Sequence, residues 1–269
     1  MKKYLVLVFS ILINCSFSSA QFFDKEHLND LSIGLNFGLT QFYGDVSVEK
    51  NIKPAFSLQV NKLLESDHYI QAEFLMGRLS GQNAFTGSCE NEYHTLNNAQ
   101  VQHETAGERF DAEFMEFDLN YLVNLATLYN QLLNYLETTD IKETIPKQGD
   151  RRSRLTALAK VGVGINIFRS VRRELETNKF MNSYGYQWLW QNNFQEAGIY
   201  HVDWDKNIKE STIVIGLLTK YQISNKFEID LSITNRIGRH DKWDSKISDK
   251  SDVFTFYSLG ATYNFNNNE

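Results

Sequence analysis

The feature that most constrains this chain is a period-two alternation of apolar and polar residues that recurs about eight times. Its clearest instance sets Leu31, Ile33, Leu35, Phe37 and Leu39 against Ser32, Gly34, Asn36, Gly38 and Thr40. Successive side chains of a strand point to opposite faces, so such a run is apolar on one side and polar on the other. No apolar stretch is long enough to cross a bilayer as a helix. The pattern therefore predicts an all-β fold, an eight-stranded antiparallel transmembrane up-and-down β-barrel with a greasy outside and a polar lumen.

The other runs are marked by Phe56, Leu58 and Val60, then Ile70, Ala72, Phe74 and Met76, then residues 110–123. Further runs follow from Leu155 to Ile167, Ile213 to Tyr221, Phe227 to Ile233 and Val253 to Phe265. In the fourth run Phe110, Ala112 and Phe114 hold one parity, and Met115, Phe117, Leu119 and Tyr121 the other. A bulge near Phe114-Met115 would keep both sets on the outer face. Phe42-Tyr43 is expected at a membrane interface, where aromatic girdles sit.

Connection lengths give an orientation. Glu65 to His68 and Asn225-Lys226 read as tight periplasmic turns, and the longer links as extracellular loops. One link breaks the rule: residues 124–153 form a long insertion on the short-turn side. Within it Leu125, Leu128, Tyr129, Leu132, Leu133 and Leu136 fall at helical spacing, which predicts an amphipathic helix at the periplasmic mouth.

The N-terminus reads as an export signal. Lys2 and Lys3 precede an apolar stretch from Tyr4 to Ile13, and Ser18-Ser19-Ala20 supplies the small residues of a cleavage site. The expected organisation is a signal peptide, 1–20, cleaved after Ala20, and a barrel domain, 21–269, in the outer membrane. Removing the signal shifts the net charge from -6 to -8, because two lysines leave and no acid does. So acidic a chain lacks the basic face that nucleic acid requires. Mean hydropathy is only -0.39 although aromatics reach 13%, a combination that suits a wall with every second residue facing a polar lumen. Cys89 is the one cysteine expected after processing.

Several segments carry a resemblance. The glycine-rich first strand ends in Gln41-Phe42-Tyr43-Gly44-Asp45-Val46, and Lys53-Pro54-Ala55-Phe56-Ser57-Leu58 follows it. Met76-Gly77-Arg78-Leu79-Ser80-Gly81, Val161-Gly162-Val163-Gly164-Ile165 and the closing Tyr263-Asn264-Phe265 continue in the same order. The pattern resembles the small Bacteroidota outer-membrane barrels related to PorG, components of the type IX secretion and gliding apparatus. The resemblance implies the barrel fold, an outer-membrane address and a role in secretion.

Candidate chemistry falls into four groups. Inward positions carry Glu73, Glu113, Glu116, Asp118, Arg154, Lys160, Lys220, Glu228, Asp230 and Arg236. Glu116 with Asp118, or Glu228 with Asp230, could serve as an acid/base pair. The mixed signs favour a lumen charge network in which Lys160, Lys220 and Arg236 neutralise Glu73, Glu116, Asp118, Glu228 and Asp230 in a barrel narrow enough to be filled by side chains. His94 and His103 lie in an acidic loop whose spacing fits no tight metal motif. Tyr184, Trp188, Trp190 and Trp204 crowd one loop as interface residues or contact anchors. The leucine stripe of the insertion reads as a rim-capping helix or a docking surface. No cofactor and no catalytic residue are expected. The reading is a non-enzymatic outer-membrane barrel that anchors or scaffolds an envelope assembly, with membrane lipid and a periplasmic protein as partners. The alternatives are a barrel enzyme or lipid-binding barrel acting on outer-leaflet lipid and, third, a narrow pore.

Overall fold

The computed structural model describes residues 30–46, 51–64, 68–83, 107–129, 154–185, 209–239, 242–245 and 251–265. Nine strands are found among them. They are β1 (Leu31–Tyr43), β2 (Ile52–Leu63), β3 (His68–Asn83), β4 (Glu108–Asn124), β5 (Leu155–Glu174), β6 (Phe180–Gly185), β7 (Lys209–Gln222), β8 (Phe227–Gly238) and β9 (Val253–Asn264). Every pairing is antiparallel. The order β4-β3-β2-β1-β9-β8-β7-β5 closes on itself through a β4–β5 pairing, so eight strands form a closed barrel. The short β6 stands outside that ring and pairs only with the far end of β5, from Arg169 to Arg173.

Alternation puts the apolar face outward. Phe37 is 62% exposed, Leu119 59%, Val163 63% and Leu259 59%, and similar residues recur on every strand of the ring. From Ile33 to Tyr43 the outward row of β1 rises about 33 Å along the strand at ~3.3 Å per residue. Tilted by about 40°, that row spans roughly 25 Å along the barrel axis, the height of a lipid-facing band.

The two ends differ. The β7–β8 turn, the 64–68 connection, the start of β1 and the end of β9 share one end, here the turn end. At the opposite, loop end β3, β4 and β5 run on past their neighbours, and with β6 they raise a wall on one side. The turn-end insertion begins as one helical turn, residues 125–129, capped where Asn124 Oδ1 accepts the Ala126 N–H at 3.0 Å. Leu132, Leu133 and Leu136 lie outside the described residues.

Two expectations are corrected. The pairing of β4 with β3 and β5 runs from Glu108 to Asn124 without a shift, so the bulge near Phe114-Met115 is absent. Phe110, Ala112 and Phe114 instead face inward and are buried. Phe42 also turns inward at 2% exposure, leaving Tyr43 alone of the pair on the outer face. Both corrections have one cause: the lumen is apolar at its loop end, so apolar residues there occupy either face.

Inside, glycines make room for polar side chains that lie across the neighbouring strand. Gly164 sits opposite Asp118, and a Cβ there would come 2.0 Å from Asp118 Oδ1 and 2.5 Å from Thr212 Oγ1. Gly260 likewise faces Asn36, whose Oδ1 would lie 1.9 Å from an added Cβ. In an open strand Gly→Ala stabilises by reducing the freedom of the unfolded chain. Here the sign should invert. Gly164→Ala is expected to destabilise the barrel by about 1–3 kcal/mol through overpacking, measured by urea unfolding in lipid vesicles.

Candidate functional site

The inward faces of the strands fill the lumen in layers. At the turn end Leu122, Leu158 and Leu218 pack together with Tyr69 against them. Beside them Lys220 Nζ donates to Glu228 Oε2 at 3.1 Å and lies 5.4 Å from the centre of the Tyr69 ring.

Next comes a layer of amides. Gln71 Nε2 donates to Gln59 Oε1 at 2.7 Å and to Asn61 Oδ1 at 2.8 Å, and its own Oε1 accepts from Asn120 Nδ2 at 3.2 Å. Gln59 Nε2 donates onward to Asp230 Oδ2 at 2.9 Å, and the Thr262 hydroxyl donates to the same oxygen. Amide side chains suit this place because each offers both donors and an acceptor, so a chain of them can close upon itself.

Above the amides lies the charge layer, centred on Arg236 of β8. Its Nε donates to Glu116 Oε1 at 2.7 Å, and its Nη2 reaches Glu73 Oε2 at 3.1 Å and Asp118 Oδ2 at 3.3 Å. Nη1 donates to Thr234 Oγ1 at 2.5 Å. Lys160 of β5 meets Glu73 Oε2 at 2.5 Å, and Asn166 Nδ2 donates to Glu116 Oε2 at 2.6 Å. Arg236 is wholly buried. A guanidinium suits the position better than an ammonium, since its planar fork addresses several carboxylates at once.

The loop end is corked by aromatic rings. Trp243, from the β8–β9 connection, is wholly buried, and its ring meets Phe254 edge-on at 5.1 Å. Phe42 packs on Phe110 at 4.7 Å and Phe114 on Phe254 at 4.9 Å. Carboxylates pin the cork in place: Asp252 Oδ2 accepts the backbone N–H of Trp243 at 2.7 Å, and Asp244 Oδ2 accepts the backbone N–H of Val46 at 3.2 Å. Below it the Arg236 guanidinium lies 5.7 and 5.6 Å from the Phe254 and Phe256 rings, so cation–π contact joins the cork to the charge layer.

Of the residues singled out in the sequence, Glu73, Glu116, Asp118, Lys160 and Arg236 come together in one cluster. Asp230 belongs to the amide layer, and Lys220 with Glu228 forms a separate pair. Glu113 does not face the lumen. It lies on the outer face, paired with Arg78 at 2.9 Å, because it shares parity with Met115 and Phe117. Arg154 is exposed at the turn end, just before β5 begins. Leu125, Leu128 and Tyr129 lie in the helical turn, with Leu128 and Tyr129 exposed. Tyr184 stands in β6 and packs against the aromatic cork. Trp188, Trp190, Trp204, Cys89, His94 and His103 lie outside the described residues. Among the described residues the one histidine, His68, is hydrogen-bonded to the Tyr121 hydroxyl at 2.6 Å and stacked on its ring.

The cork was missed in the sequence, although a signal existed. Val253 and Tyr257 lie on the outward parity, while Phe254 and Phe256 occupy the inward one. Apolar residues on both parities mark a strand end whose inner face has stopped being polar.

No family model matches the sequence, and no curated protein matches it. Solved structures do resemble it. Ail, the attachment invasion locus protein of Yersinia pestis, is 12% identical over 87% of this chain and 96% of its own, with a TM-score of 0.41. Neisserial surface protein A is 7% identical over 87% and 97%, with a TM-score of 0.39. A major outer membrane protein from Thermus thermophilus is 10% identical over 87% and 98%, with a TM-score of 0.38. At these identities and scores the likeness is one of form alone, and the barrel rests on its own strand pairing.

Removing Arg236 would leave Glu73, Glu116 and Asp118 close together without their shared cation. Arg236→Met should therefore cost about 3–5 kcal/mol in urea unfolding of the vesicle-embedded barrel. Glu116→Gln, which leaves the guanidinium two carboxylates and keeps an acceptor, should cost clearly less, about 1–3 kcal/mol.

Proposed function

We propose that this protein is a non-enzymatic outer-membrane barrel that anchors or scaffolds an envelope assembly through its two ends. The observation that carries the reading is the contrast between wall and interior. The wall presents large apolar side chains on every strand of the ring, a surface far beyond what a water-soluble monomer exposes. The interior is filled from the leucine layer at one end to the Trp243 cork at the other. Among the described residues the lumen is occupied by side chains layer after layer, which supports a role carried by the ends of the barrel.

At the turn end Leu128 and Tyr129 are 44% and 61% exposed on the helical turn. A periplasmic protein covering them would gain roughly 1.5–3 kcal/mol for the leucine alone, before ordering costs. The resemblance of the strand motifs to PorG-like barrels supports a type IX secretion apparatus as the assembly.

Two measurements test the reading. Purified protein in a planar bilayer should insert yet show no steady ion current; a stable conductance would overturn the filled lumen. Crosslinking in the envelope should capture a periplasmic protein through the helical turn. Leu128→Ser with Tyr129→Ser should lower that capture roughly tenfold or more, a loss of at least ~1.4 kcal/mol, while the barrel still runs as a folded, heat-modifiable band. A folded variant with undiminished capture would overturn the docking role.

A further inference from the structure

The outer face of the β3–β4–β5 wall changes character abruptly at its loop end. Met76, Met115 and Ile167 stand in one cross-strand row, the last apolar row of the wall. One outward step higher, about 7 Å along the strands, the row is Arg78, Glu113 and Arg169. Arg78 keeps 55% of its side chain exposed while holding Glu113, which is only 18% exposed. Glu113 stands directly opposite Arg78 on β3 and Arg169 on β5, in the field of both guanidiniums.

Higher still, Arg109 and Arg173 stand directly opposite each other. Like charges in that relation repel. Both guanidiniums reach the same neutral acceptor, Asn178 Oδ1, at 2.7 and 3.4 Å. Asn178 adopts a φ of 59° in the β5–β6 turn, which brings its side chain back toward the two arginines. Arg109 Nε is buried and makes no hydrogen bond. Between these rows Asp111 and Lys53 lie 3.9 Å apart and roughly cancel.

In a protein whose net charge is -6, a concentration of arginine on one side of the wall runs against the average. Its height matters as much as its sign. The lower row begins where the apolar belt ends, at the depth of lipid head groups. The end with the longer connections is the extracellular one in such barrels, so those head groups belong to the outer leaflet. Guanidinium is also the side chain best shaped to grip phosphate oxygens in pairs.

We propose that this arginine wall binds the phosphate groups of an outer-leaflet lipid, with Arg78 and Arg169 as the principal contacts and Arg109 with Arg173 as an upper pair. The proposal rests on the membrane reading above. The acyl chains of the lipid lie along the apolar row of Met76, Met115 and Ile167, so the site recognises phosphate carried on a lipid rather than free phosphate.

The full chain, folded into phosphatidylcholine vesicles, can be loaded with bisphosphorylated lipid A or with the same lipid A after removal of its phosphates. Lipid retained per barrel after exchange into detergent is then counted by mass spectrometry. The phosphorylated form should be retained at least tenfold better. Arg78→Gln with Arg169→Gln should remove that preference, and Arg78→Lys with Arg169→Lys should keep part of it. Equal retention of the two lipids by the unaltered protein overturns the proposal without any variant. Undiminished retention by the folded glutamine variant, or complete displacement by inorganic phosphate alone, overturns it as well. Failure to insert into vesicles at all overturns the membrane reading itself, an outcome distinct from insertion without lipid preference.

Discussion

A cation sealed inside a protein must be matched by anions or leave, and the rest of this barrel is arranged around that demand. Arg236 stands on β8, while the carboxylates that hold it stand on β3 and β4 across the lumen. Lys160 brings in β5 through the same Glu73 oxygen. Backbone ladders join each strand only to its neighbours, whereas this cluster ties opposite walls together. It thereby fixes how far apart they stand. The amide layer beneath repeats the logic with neutral groups, since each donor must find its acceptor across the lumen or lose about 1–3 kcal/mol. The inward glycines follow from the same crowding.

Much of the wall was legible in the sequence because the physics behind it is local. An outward position facing lipid must be apolar whatever its neighbours are, so the alternation of Leu31 to Leu39 or of Val161 to Ile167 announces a strand and its face together. The eight strands of the ring follow from such runs. What was not legible depends on which distant residues meet. On sequence alone Phe110, Ala112 and Phe114 read as outward, because apolar residues in a barrel wall normally face lipid. They turn inward because Trp243 and Phe254 close the mouth above them, and nothing near residue 110 announces Trp243. Glu113 reads as a lumen residue for the same reason in reverse, because a bulge at Phe114-Met115 would shift its parity. The pairing of Arg236 with Glu73 was foreseeable in kind, as mixed charge requires, but its geometry was not.

The arginine wall belongs to the same class of non-local information. Arg78, Arg109, Arg169 and Arg173 are scattered through the chain, and each alone reads as a solvated charge. Only the register between β3, β4 and β5 stacks them on one face, and only the row of Met76, Met115 and Ile167 shows how close they stand to the apolar belt. Depth in the membrane is a property of the assembled barrel and not of any short stretch of sequence.

The seam of the barrel bears on how cells could sort good copies from bad. The first strand of the ring pairs with the last, from Ser32 opposite Asn264 to Tyr43 opposite Val253. A chain interrupted anywhere before residue 253 would therefore keep two raw edges, on β1 and on its final strand, however well its middle had formed. Such edges invite pairing with other chains and attack by proteases. A premature stop ahead of β9 would leave the whole cylinder open. Closure thus hangs on β9: the twelve residues that pair with β1 decide whether everything translated before them becomes a ring.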